Sequence, residues 1–353
     1  MKKKILLTGG GTGGSVTPLL AVAESLGRDN YEFIFVGTRD GVERGMVKEA
    51  DIRYKWIHAG KLRRYFSLQN FVDIIVILIG FFESLALLVD EKPKVMISAG
   101  SFVSVPLAWA AWFLNIPVLI HQMDIRPGLA NRLMAPCARK ITTVFEKSVD
   151  DYCKKAEWVG NPTQPSIVNL QGSDNEICKK FNLKQKLPIV LVVGGGTGAV
   201  GLNDLVYDSV SELVKFCQVV HSTGKGKIDR SCKCENYHAY EYIEHSDLLK
   251  LLPRASLVIS RAGVGALMDI ASSKRPAIII PMPDSHQEDN ANYFAKKEAG
   301  IVLDQEKVTK EEFITTVKDV VKSKEMQEKL SKNVEKVIKR RANDRILEII
   351  KKL

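Results

Sequence analysis

Two stretches of this chain repeat one pattern. "KKKILLTGGGTGGS" runs an apolar strand into glycines at 9–14, and "PIVLVVGGGTGA" does the same at 194–199. Gly9, Gly11 and Gly14 fit GxGxxG, and Gly194, Gly196 and Ala199 fit GxGxxA. Glycine permits positive φ and lets a backbone approach a ligand closely. A helix that begins after such a turn offers free N–H groups and partial positive charge to a phosphate. Thr17 suits a cap and Pro18 the first helical position. A strand, a glycine turn and a helix at the head of each half predict an α/β fold built twice.

The intervening sequence agrees. Apolar strands are expected at 31–37, 93–100, 116–122 and 140–145, separated by helical segments. The alternation restarts at 188–196, where Leu202, Leu205, Val206, Tyr207, Val210 and Leu213 fit one face of the following helix. "CQVVHSTG", "HAYEYI", "LVISRAG" and "PAIIIPMP" read as further strands. Short apolar strands between helices predict doubly wound parallel sheets, buried on both faces. The 353 residues suit two such domains. "GNPTQP" marks the boundary near 158–165, giving 1–160 and 161–337. The segment 323–353 reads as one long lysine-rich helix, able to pack back on the first domain through 338–353.

Composition narrows the partners. The net charge of +10 invites nucleic acid, anionic lipid or phosphorylated substrates. No nucleic-acid-binding module is visible, so nucleic acid is not expected. The six cysteines include no CxxC pair, and the apolar run of "MKKKILL" ends at Thr8. Both point to reduced thiols in the cytoplasm. Cys232 and Cys234 lack a second pair, so no metal site is expected.

From Phe71 to Val89 run nineteen mostly apolar residues, close to the ~20 that cross a bilayer. Asp73 and Glu83 interrupt the run, and a central acid costs on the order of 3 kcal/mol in lipid. A buried helix needs only one apolar stripe, yet 74–82 is apolar all round. With Lys61, Arg63 and Arg64 upstream, the run predicts in-plane contact with an anionic membrane.

Three segments of the second half carry polar groups where α/β sites form: "HSTGKG" (221–226), "SRAGVGALMDIASSKRPAIIIPMP" (260–283) and "DSHQEDNANYFAKKEAG" (284–300). Asp269 shares a helix face with Gly265 and Ala266 and has no obvious cationic partner. An acid there suits a pair of sugar hydroxyls. Gln287 and Asn290 share a face, and amides both donate to and accept from hydroxyls.

Together these segments resemble the MurG type, the bacterial enzymes that add N-acetylglucosamine to the undecaprenyl-pyrophosphate-linked muramyl pentapeptide of cell-wall synthesis. The resemblance spans the chain. It rests on "GGGTGGSVTPLLAVAESL", "SAGSFVSVPLAWAA", "NIPVLIHQMDIRPGLANRL", "VGNP", "VVGGGTGAVGLN", "HSTGKG", "SRAGVGALMDIA" and "HQEDNA". It implies two Rossmann-like domains facing a cleft, the GT-B architecture. It also implies an inverting transfer from UDP-N-acetylglucosamine to a lipid-linked acceptor at the cytoplasmic face of the plasma membrane, with no cofactor. Gly11, Thr12, Gly13, Gly14, Ser98, Gly100 and Ser101 would then receive the acceptor pyrophosphate. Gly196 and Thr197 would lie by the donor phosphates, and the backbone around Ile243 by uracil. Asp269 would take the ribose hydroxyls, and Gln287, with His286 and Asn290, would read the sugar. Thr12, Gly13, Gly14, Asp124, Gln164 and Arg261 complete the implied donor set. Ile74, Ile75, Leu78, Ile79 and Phe82, with Arg139 and Lys140, match the family's membrane patch.

Four positions depart from the family pattern. Ser15 stands for a histidine. His121, Gln122, Met123 and Asp124 stand for His-Glu-Gln-Asn. Gln164 stands for an arginine, and Asp269 for a glutamate one methylene longer. A general base must reach the proton of the attacking hydroxyl, and serine is a poor base. Asp124 is therefore the candidate base, with His121 beside it and Ser15 in the histidine's place. That Asp124 merely packs in the turn before Pro127 stays open. Three alternatives stay open as well: a diacylglycerol glycolipid synthase, a catalytically impaired nucleotide-sugar- or lipid-binding protein, and an NADP oxidoreductase using Arg39.

Overall fold

A computed structural model describes residues 2–60, 69–165, 174–195, 198–229, 231–232 and 234–353. The chain forms two compact units: Met1–Val168 with Lys339–Leu353, and Asn169–Ile338.

The first unit holds seven strands: β1 (Lys3–Thr8), β2 (Tyr31–Gly37), β3 (Arg53–Trp56), β4 (Val95–Ser98), β5 (Val118–Gln122), β6 (Lys140–Thr143) and β7 (Ala156–Trp158). Their order is β3-β2-β1-β4-β5-β6-β7, and every pairing is parallel. Successive side chains of a strand point to opposite faces. Ile5 and Leu7 of β1 and Phe33 and Phe35 of β2 thus enter one core, against Leu19 and Val22 of α1 (Thr17–Leu26). Leu6, Ile34 and Met96 enter the other, against α3 (Gln69–Glu91), α4 (Ser104–Phe113) and α5 (Leu129–Met134). The helix α2 (Glu43–Glu49) joins β2 to β3. Sequence patterning misses β3 and β7 because they are edge strands without apolar runs.

The second unit holds β8 (Ile189–Val193), β9 (Gln218–Ser222), β10 (Tyr237–Tyr240), β11 (Leu257–Ser260), β12 (Ala277–Ile279) and β13 (Ile301–Val302). Their order is β10-β9-β8-β11-β12-β13, again all parallel. Its helices among the described residues are α6 (Asp174–Lys180), α7 (Val200–Leu213), α8 (His245–Leu251), α9 (Val264–Ser272), α10 (His286–Lys296), α11 (Lys310–Lys322) and α12 (Lys324–Glu335). Val190, Val192, Ile259 and Ile278 pack against Leu202, Val206, Phe313, Val317 and Leu330.

The segment 323–353 is not the single helix expected. It breaks after α12, Arg341 takes a left-handed φ of 62°, and α13 (Ala342–Lys352) begins. The reason is phase. Leu330, Val334 and Val337 form one stripe, while Ala342, Ile346, Ile349 and Ile350 form another about one residue out of step. A residue is about 100° of helix rotation, so one straight helix could not bury both. Ile346, Ile349 and Ile350 join the first unit's core beside α1.

In each sheet the winding reverses beside the first strand of its half, between β1 and β4 and between β8 and β11. Ligands of doubly wound sheets bind at the carboxyl ends flanking that reversal. Both glycine turns leave the sheet there.

Candidate active site

The first turn is shaped from beneath by a carboxylate. Glu43, the first residue of α2, is fully buried. It accepts from the Thr38 amide (2.8 Å), the Thr38 hydroxyl (2.6 Å) and the Gly11 amide (3.3 Å). A Cβ at Gly10 would lie 2.7 Å from its Oε1. Burial opposes its charge, but bonds from Thr38 and Gly11 outweigh burial and hold the carboxyl below its ordinary range. Gly11 has φ +81°, with open space where a side chain would stand. Its amide is turned to Glu43, so among the turn's expected phosphate ligands Gly11 does not offer that group. Thr12, Gly13 and Gly14 lead into the short 3-10 turn Gly13–Ser15, where the opening amides have no partner within the turn.

Ser15 belongs to the turn itself. Its Oγ accepts from the Gly10 amide at 3.1 Å and lies 3.1 Å from the carbonyl oxygens of both Gly10 and Thr12, either of which can take its proton. Among the described residues its partners all belong to the turn, and no carboxylate or imidazole is among them. His121 is placed differently. It is 3% exposed, its Nδ1 meets Thr142 Oγ1 at 3.0 Å, and burial pushes its pKa down to about 4, against the raising effect of Asn161. It sits in the core beneath the turn that carries Asp124.

Two neighbouring turns complete this edge. After β4, Gly100 and Ser101 both have positive φ, +96° and +93°. For a serine that conformation costs about 1–3 kcal/mol. Ser98 is buried and its Oγ accepts from the Gly100 amide at 3.1 Å, so it supports this turn. After β5, Gln122 is a hub that sequence reasoning assigned no role. Its Nε2 donates to the carbonyls of Asp124 (2.7 Å) and Arg126 (3.1 Å), while Oε1 accepts from Asn131 and from Tyr152 (2.8 Å). This fixes the turn that carries Asp124, whose own residue is half-buried. Gln164 lies along the C-terminal half of α1, in a pocket with Leu20, Ala23, Phe33 and Ile52, and not by the glycine turn. Arg39 stacks over Trp56 at 5.4 Å.

In the second unit, Gly196 and Thr197 lie outside the described residues. The flanking turn is tight: Gly198 donates to the Gly195 carbonyl at 2.9 Å, and a Cβ at Gly194 would meet the Ala199 amide. Ile243 buries its side chain, and among the described residues its amide and carbonyl meet no partner. Asp269 does have a partner, contrary to the sequence reading: His245 Nε2 lies 2.9 Å from its Oδ2. The bond to the Asp269 carboxylate outweighs burial and raises the pKa of His245. Gln287 is half-buried and its Oε1 accepts from the Met282 amide at 3.2 Å, while His286 is exposed.

Two expected donor ligands face inward instead. Arg261 is 8% exposed, donates to the carbonyls of Ile280 (3.0 Å) and Pro281 (2.8 Å) and pairs with Gln305. Asn290 is fully buried and donates to the Ala262 carbonyl at 3.1 Å. Each anchors the β11–α9 turn. The helix periodicity that placed Asn290 beside Gln287 does not tell a ligand-facing side from a core-facing one.

The apolar run forms α3, anchored at mid-length. A Cβ at Gly80 would meet the His58 carbonyl at 2.1 Å, and Glu83 accepts from the His58 amide at 2.8 Å. Phe81, Leu85 and Leu88 face the core, while Ile75, Leu78, Ile79, Phe82 and Val89 form an exposed stripe. The Ile74 side chain and Lys61, Arg63 and Arg64 lie outside the described residues. Among the described residues no helix is long and apolar enough to cross a membrane. Lys140 does not join the stripe. It pairs with Glu157, which also binds Arg345 of α13, on the sheet face opposite α3. Arg139 is exposed at the amino end of β6, the opposite edge of the sheet from His58 and Gly80.

Two doubly wound units, each with a glycine turn at its winding reversal, make up the GT-B architecture of nucleotide-sugar glycosyltransferases. Residues 5–143 match the glycosyltransferase family 28 N-terminal domain and residues 189–346 its C-terminal domain, and the chain belongs to that family. The UDP-N-acetylglucosamine--N-acetylmuramyl-(pentapeptide) pyrophosphoryl-undecaprenol N-acetylglucosamine transferase of Clostridium tetani is 34% identical, over 100% of this chain and 98% of its own. The enzyme of that name from Lachnospira eligens is 37% identical, over 99% of each chain. The solved structure of MurG from Acinetobacter baumannii matches with a TM-score of 0.79 at 21% identity, covering 99% of this chain and 100% of its own, a likeness of fold.

Proposed function

We propose that this enzyme transfers N-acetylglucosamine from UDP-N-acetylglucosamine to undecaprenyl-pyrophosphoryl-N-acetylmuramyl pentapeptide, converting lipid I to lipid II. The observation that carries this is a glycine turn at the winding reversal of each sheet, in a chain that matches transferases of that name end to end. One turn serves the acceptor pyrophosphate, through the amides of Thr12, Gly13 and Gly14. The other serves the donor phosphates. The backbone of Ile243 meets the uracil, Asp269 the ribose diol and Gln287 the sugar.

The acceptor hydroxyl attacks the anomeric carbon, the bond from that carbon to the phosphate oxygen breaks, and UDP leaves with inversion. Asp124 takes the hydroxyl proton. Ser15 Oγ is engaged within its own turn and His121 is buried, which favours Asp124, and Gln122 holds the Asp124 turn in place. The stripe Ile75, Leu78, Ile79 and Phe82 rests on the cytoplasmic face of the membrane, where a lipid-linked acceptor presents its head group.

The test uses purified protein and radiolabelled UDP-N-acetylglucosamine or UDP-glucose, with lipid I or diacylglycerol. Transfer of N-acetylglucosamine to lipid I alone is expected. Transfer to diacylglycerol, or donor binding without transfer, would replace this reading.

A further inference from the structure

Asp269 is one carbon–carbon bond shorter than the acid of the family pattern, about 1.5 Å of lost reach. It is also the acid that a neighbour grips. His245, the first residue of α8, places Nε2 at 2.9 Å from Asp269 Oδ2 on α9. The pair is half-buried, with side-chain exposures of 35% and 19%. A carboxylate has roughly four acceptor sites. The imidazole occupies one, and among the described residues Oδ1 meets no partner and remains for a ligand. Two residues before His245 lies Ile243, anchored by its buried side chain, its amide and carbonyl without partners among the described residues. One short turn therefore carries both the unpaired backbone groups and the imidazole that holds the acid.

We infer that His245 is a positioning residue for nucleotide recognition: it aims the short Asp269 carboxylate at the ribose diol and ties the turn around Ile243 to α9. The spacing between the base-reading backbone and the diol-reading acid is thereby set by one side-chain bond. This rests on the reading of Asp269 as the ribose ligand, and the measurement separates the two.

The full chain is titrated with UDP and with 2′,3′-dideoxy-UDP by calorimetry, and the ratio of the two dissociation constants reports the diol contact alone. His245→Ala is expected to shrink that ratio by about tenfold, the worth of a misdirected charged hydrogen bond. Dideoxy-UDP binding weakens less than UDP binding, because it loses only the tether on the Ile243 turn. His245→Gln, which keeps an N–H donor, retains most of the preference. Asp269→Glu in the His245→Ala background restores it, because the longer acid reaches the diol unaided. In turnover, His245→Ala raises KM for the donor several-fold and leaves kcat within about twofold, the signature of uniform binding loss. If His245→Ala keeps the wild-type ratio while Asp269→Ala loses it, His245 has no positioning role and the inference fails. If Asp269→Ala keeps the ratio, Asp269 is not the ribose ligand, and the reading beneath the inference fails with it.

Discussion

Glu43 accepts the Gly11 amide from beneath the first glycine turn, at 3.3 Å. A buried carboxylate under a loop proposed to receive pyrophosphate is unfavourable for anion binding by charge alone, so its value lies in shape. It fixes which amides point inward and which remain for the ligand. Replacement by alanine strands the donors of Thr38 and Gly11. Glu43→Ala is expected to cost about 1–3 kcal/mol per unsatisfied group in urea unfolding. It should also raise KM for the acceptor. Unaltered stability would show that the turn does not depend on this carboxylate.

Proton transfer separates two candidate residues. Asp124→Asn is expected to lower kcat by about 10²–10⁴-fold, the usual contribution of a general base, while UDP binding stays intact. Ser15→Ala removes bonds to Gly10 and Thr12 only, and kcat should stay within about tenfold because no proton step depends on it. Near-full turnover by Asp124→Asn would move the base elsewhere.

The α3 stripe predicts a surface effect without a folding effect. Phe82 is 66% exposed and Leu78 54%. Leu78→Ser with Phe82→Ser should release the protein from vesicles containing anionic lipid, since each apolar side chain withdrawn from water contributes about 25 cal/mol per Å². Thermal unfolding should not shift down, because neither side chain belongs to the core. Undiminished cosedimentation with vesicles would exclude the stripe as the contact.

Acid stability should depend on Glu91. It is nearly buried and meets Lys4 at 2.8 Å, Lys55 at 2.7 Å and Arg53. Burial alone would raise its pKa, but the three cations outweigh burial and hold it at about 2. A folded pKa below the unfolded value of about 4.3 gives stability that is full above that pH and is lost as pH falls toward 2. Glu91→Gln should lower the urea midpoint at neutral pH and flatten its decline between about pH 4 and 2. An unchanged acid limb would assign that decline to other carboxylates.

What the sequence determined by itself is the repeating unit. Apolar strands such as 189–193 are legible because a parallel sheet covered on both faces tolerates little else, and a glycine turn after a strand is a local signal. The direction in which a side chain points at the carboxyl edge is not local. Arg261 and Asn290 read as ligands and turn inward, because carbonyls of Ile280 and Ala262 needed donors. Nothing local marks Glu43: its role appears only when Gly11, 32 residues earlier, closes over it. Asp269 reads as unpaired until α8 brings His245 to it. Local patterning records which residues can form a strand, a turn or a helix face. Which donor meets which acceptor is decided only when the layers pack, because a buried polar group takes whatever partner the tertiary fold sets within reach.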